Sequence, residues 1–156
     1  MAIRKFEYMH GAVLTKLMRN DRPVALRLVE TNQQECWSLY RVNVDINLMV
    51  KYATSHRQSG RGRTWTFILS AKQREYLAAT ERVWLALVCG ATDLDDAETA
   101  VALLEPKEAN LLLATGTTPN VSIRMASGKQ LRVTINGYAE LVVPRNRLET
   151  WEVPGS

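Results

Sequence analysis

Within eight residues, His56, Arg57, Arg61 and Arg63 supply four groups able to carry positive charge, with Gly60 and Gly62 set among them. Glycine has no Cβ, so the backbone there can approach a ligand closely. Cations beside such backbone suit a phosphate chain, whose charge Lys and Arg neutralise with release of counterions. The plainer alternative is a solvated loop, although a loop of this composition has no obvious packing role. Lys51 lies just upstream and can contribute a further phosphate contact. His10, beside Gly11, reads as a structural histidine, and the run from Asp93 to Glu98 lacks the spacing of a calcium loop. No Ser/His/Asp triad, P-loop or dinucleotide fingerprint is legible.

The elements that must position these residues follow from periodicity. His10 to Arg19 carries Val13, Leu14, Leu17 and Met18 at helical spacing, and Pro23 disfavours helix in the residue before it. Val24 to Thr31 and Trp37 to Val42 read as strands, as does Ile46 to Ala53. In that third strand Ile46, Leu48, Val50 and Tyr52 form the core-facing stripe, with Asn47, Met49 and Lys51 on the opposite side. The polar stretch from Thr54 to Arg63 reads as a loop before the strand Trp65 to Leu69. Trp65 is expected in the core rather than as a stacking platform for bases.

Ser70 then caps a helix from Ala71 to about Thr80. Val83 to Cys89 is apolar on both faces, as a covered central strand should be. A strand at Thr99 to Leu104 and a helix opened by Pro106 follow. Val121 to Met125, Leu131 to Ile135 and Ala139 to Val143 alternate well, and Ser127-Gly128-Lys129 and Asn136-Gly137 have hairpin chemistry.

The chain has 156 residues, 46% apolar and 23% charged, as expected of a single globular domain. No apolar run approaches the roughly 18 residues of a membrane helix, so a soluble, cytoplasmic protein is expected. Cys36 and Cys89 lie in apolar surroundings and read as buried thiols in a reducing compartment. The charge is uneven: residues 1–78 hold 13 Lys/Arg against 6 Asp/Glu, and residues 79–156 hold 7 against 10. Such asymmetry fits a face that meets DNA or RNA, and equally one that meets an acidic protein.

The order helix, three strands, a Lys on the third, a Trp-containing strand, helix and apolar strand resembles the core of the PD-(D/E)XK, or restriction-endonuclease-like, superfamily. The pieces that carry the likeness are Val50-Lys51-Tyr52, Trp65 to Leu69, Ala71 to Thr80 and Val83 to Cys89, and it covers roughly residues 7–90. The implied fold is α+β, a mixed central sheet with flanking helices over residues 1–90. A β-rich extension over 91–156 would pack on it within one domain. The implied chemistry is metal-dependent phosphodiester hydrolysis, with acids holding magnesium and the lysine positioning or activating the attacking water.

Carried onto this chain, Lys51 takes the lysine's role, while Glu30 and Glu7 are the acids that could hold the metal. Lys51, His56, Arg57, Arg61 and Arg63 would contact phosphates. The family's acid-x-Lys step should place a carboxylate two residues before Lys51, on the same strand face and about 7 Å away. This chain has Met49 there. The expectation is therefore a nucleic-acid-associated protein, either a magnesium-dependent nuclease or an inactive descendant. The alternative is a non-enzymatic interaction module, such as an inhibitor or immunity factor in host-phage or toxin conflict.

Overall fold

The computed structural model describes residues 10, 11, 13–15, 17, 25–32, 36–43, 46–53, 57–59, 62–80, 82–90, 100–113, 120–125, 130–135, 139–148, 150 and 151. Residues 10, 11, 13–15 and 17 are helical (α1). There follow β1 (Leu26–Asn32), β2 (Trp37–Val42), β3 (Ile46–Ala53), β4 (Arg57–Ser59), β5 (Gly62–Ile68), α2 (Ala71–Ala79), β6 (Val83–Cys89) and β7 (Ala100–Leu104). Then come α3 (Pro106–Asn110), a 3-10 turn (Leu111–Leu113), β8 (Asn120–Met125), β9 (Leu131–Ile135) and β10 (Ala139–Val143). The fold is α+β. No helix among the described residues is long and apolar enough to cross a membrane.

The strands form two five-stranded sheets, ordered β1-β2-β3-β6-β7 and β10-β9-β8-β5-β4. The first is mixed: β3 and β6 run parallel and its other neighbours antiparallel. The second is antiparallel throughout. Pairing crosses residue 90 in both sheets, since β7 completes the first and β4 and β5 pair into the second with β8 to β10. Arg57–Ser59 pair with Gly62–Thr64 as a short hairpin, so part of the segment expected as a loop is strand.

Both faces of the first sheet are covered, which explains its near-continuous apolar strands. Tyr40, Val42, Ile46, Leu48, Val50, Ala86, Val88, Val101 and Leu103 pack with Val13 and Leu17 of α1 and with Leu148 and Trp151. On the other face Trp37, Leu39, Met49, Leu85, Leu87, Ala102 and Leu104 meet Trp65, Phe67, Val121, Ile123, Leu131 and Val133 of the second sheet. Leu77 of α2, Ala109 of α3 and Leu112 of the 3-10 turn close this larger core. Trp65, fully buried, donates its indole N–H to the Gly90 carbonyl at 2.8 Å, as a core tryptophan with its polar handle satisfied should.

Candidate functional site

Lys51 occupies the face of β3 opposite Ile46, Leu48 and Val50, but that face is the inter-sheet core rather than solvent. The side chain is 8% exposed. Its Nζ donates to Gln73 Oε1 at 3.0 Å, and the same oxygen accepts the Ser70 backbone N–H at 3.0 Å. Gln73 is itself fully buried and directs Nε2 towards Met49 Sδ at 3.8 Å. The Ser70 hydroxyl in turn accepts the Gln73 backbone N–H, so Lys51 is tied into the capping box that opens α2. Met49, where the family pattern asks for a carboxylate, has no exposed surface.

Glu30 shares the Lys51 face of the sheet because a bulge between Leu28 and Glu30 shifts the register, pairing Glu30 with Leu39. It does not approach Lys51. Leu39 and Trp37 of β2 lie between the two strands, with Trp37 directly beside Lys51. Glu30 instead pairs with Lys72 of α2 at 2.6 Å, and the Lys72 amine lies 6.0 Å from the Trp37 ring centroid. Among the described residues no three of His, Cys, Asp and Glu gather where they could hold a metal ion. Glu7, His56 and Arg61 lie outside the described residues, as do Asp93 to Glu98 and both expected hairpin turns.

The remaining arginines of the cluster separate. Arg57 pairs with Thr64, whereas Arg63 pairs with Gln58 and with Met125. Side chains alternate along a strand. Arg63 therefore has the parity of Trp65 and Phe67, which face the core.

The outward face of the second sheet carries a set of residues that the cluster did not reveal. Register aligns Arg57, Thr64, Arg124, Arg132 and Val142 in one row across all five strands. Beside it Thr66, Ser122, Thr134 and Glu140 form a second row over four strands. Thr64, Ser122, Arg124, Arg132, Thr134 and Glu140 line a concavity of about 230 Å³.

Two like charges directly opposite on antiparallel strands repel and destabilise the pair. Arg124 and Arg132 are so placed. Arg132 is relieved by Glu140 at 3.0 Å, with both side chains more than half exposed. Arg124 has no ion-pair partner among the described residues. An anion in the concavity would meet two guanidinium groups and three hydroxyls, the donor set that phosphate oxygens accept from. A sequence signal for this pair existed: the turn chemistry of Ser127-Gly128-Lys129 between two alternating runs; in the structure 124 pairs with 132, both between core-facing positions.

His10, Cys36 and Tyr52 meet on the far side of the molecule. His10 is 3% exposed and lies edge-on to the Tyr52 ring, with centroids 5.7 Å apart. Burial lowers its imidazole from 6.5 to about 4, opposed in part by a backbone hydrogen bond with Cys36. Cys36 is half-buried in a positive-φ turn, not sequestered as its surroundings in sequence suggest, whereas Cys89 is fully buried and its thiol is pushed up by desolvation.

Compared with protein-family models, with curated proteins and with solved structures, the chain matches none.

Proposed function

We propose that this is a cytoplasmic nucleic-acid-associated protein with a divergent restriction-endonuclease-like core, an inactive descendant that binds phosphate backbone without cleaving it. The observation that carries the binding reading is the outer face of the second sheet, where Arg124 and Arg132 stand opposite one another with Glu140 as their one ion-pair partner among the described residues. The nuclease-like reading is supported by the order of elements: α1, the β1 to β3 meander, the Trp65 strand, α2 and the central strand β6.

Loss of hydrolysis is supported by Lys51. In the nuclease reading its amine would assist a water beside acid-held magnesium. Here the amine is engaged by Gln73 in a buried cap, and Met49 fills the acid's position with core. Incubation of the protein with single- and double-stranded DNA and RNA, with magnesium and with manganese, is expected to give salt-sensitive binding and intact polymer. Metal-dependent cleavage abolished by Lys51→Met in a folded variant would overturn the inactive reading.

A second reading is favoured by β1, an edge strand with Leu28 54% and Val29 48% exposed beside its bulge. Such an edge can pair with a strand of another protein, as an inhibitor or immunity factor would use it. Under that reading one defined protein partner binds and generic nucleic acid does not.

A further inference from the structure

The face that would meet nucleic acid also restricts which form of it can be held, an inference that rests on the binding reading above. From the sheet register and the exposure of its side chains we infer that this surface recognises the paired, helical form through its phosphates and does not read bases.

The two aromatic residues of β5, Trp65 and Phe67, point into the core at 0% and 1% exposure. The alternate residues that face outward are Thr64, Thr66 and Ile68. Across β8, β9 and β10 the outward positions are Asn120, Ser122, Arg124, Arg132, Thr134, Glu140 and Val142, so no described outward position of the sheet is aromatic. Proteins that grip single strands stack bases on aromatic rings, worth about 1–3 kcal/mol per base. The aliphatic side chains of Ile68 and Val142, both more than half exposed, provide no such platform.

What the face offers is spaced charge and hydroxyls. Strands lie about 4.8 Å apart, so Arg124 and Arg132, opposite one another on neighbouring strands, hold two cationic positions about that distance apart, flanked by the hydroxyls of Thr64, Ser122 and Thr134. A duplex presents about one phosphate per 1.7 Å of axis, twice the density of one strand, on a stiff scaffold. Backbone-only contact therefore gains more from the duplex, and base sequence has little effect.

The test is fluorescence anisotropy with the full chain against DNA and RNA duplexes of about 20 base pairs, two unrelated sequences of each, and the component single strands. Duplexes should bind at least about tenfold more tightly than single strands, with the two sequences within about threefold of each other. Joint Arg124→Gln and Arg132→Gln substitution should remove that preference while the melting temperature is unchanged. Equal or tighter single-strand binding, a strong sequence preference, or a duplex preference that survives the double substitution would each overturn the inference and leave nucleic-acid association standing. No binding to any of the polymers would overturn both.

Discussion

The amine of Lys51 and the side-chain carbonyl of Gln73 meet at 3.0 Å in a buried cap, so the residue that sequence singled out as a reactive lysine holds α2 to β3. Removing one partner of a buried charge-assisted hydrogen bond leaves the other unmatched, a loss of about 2–3 kcal/mol. Lys51→Ala should therefore lower the unfolding free energy measured in urea by that order and leave nucleic-acid affinity unchanged. Lys51→Met, which preserves the apolar stem, should lose less. A Lys51→Ala protein of full stability that no longer binds nucleic acid would place the amine at the interface instead.

Glu140 is bonded to Arg132 at 3.0 Å, so in the proposed binding mode it would compete with incoming phosphate. Exposed pairs of this kind contribute about 0–1 kcal/mol, so little stability is lost with it. Glu140→Gln is expected to tighten binding by about threefold to tenfold through removal of one negative charge from the face. Titration of both proteins at one salt concentration checks this; weaker binding by the variant would show that Glu140 positions Arg132 for its ligand.

Burial gives His10 a pH signature. Its folded value of about 4 lies below the ordinary 6.5, so the unfolded chain takes up the proton first. The stability contributed by neutral His10 is fully present above about pH 6.5, declines as the pH falls and levels off below about pH 4. From about pH 7 to about pH 5 the loss should be on the order of 2 kcal/mol. His10→Leu should flatten that interval in urea unfolding, whereas an unchanged slope would assign the proton uptake elsewhere.

Arg147 anchors the C-terminal segment. One of its nitrogens donates to Glu108 at 2.5 Å and to the Leu103 carbonyl at 3.0 Å, next to Leu148 and Trp151, which seal the second core. Glu108 also accepts the Glu105 N–H at the start of α3. Because the pair is largely buried, Arg147→Ala should destabilise by about 2–3 kcal/mol. Hydrogen exchange should show faster opening around β7; unaltered protection there would mean that Trp84 and Trp151, whose rings lie 4.7 Å apart, suffice.

Much of the element order was legible because local rules set it. Trp37–Val42, Ile46–Ala53, Leu131–Ile135 and Ala139–Val143 stand at the bounds that the pattern of the sequence gives, as does Val83–Cys89 from its unbroken apolar run, and Ser70 caps α2 as its side chain dictates. What alternation could not convey is what covers each face. Met49 and Lys51 read as opposite the core stripe, and they are, but a second sheet covers them. The Arg57–Ser59 strand was hidden by polar composition, since its pairing with β5 comes from backbone. Arg124 and Arg132 are set opposite one another by the register between β8 and β9, of which the turn chemistry of Ser127-Gly128-Lys129 is the one sign in sequence.

The central claim, phosphate binding by the outer face of the second sheet, is tested most directly by salt. Phosphate contacts by Arg124 and Arg132 should contribute about −1.8 to the slope of log K against log salt on duplex DNA, so replacing both by Gln should reduce its magnitude by that amount. A slope and affinity that both survive the double substitution would contradict the account.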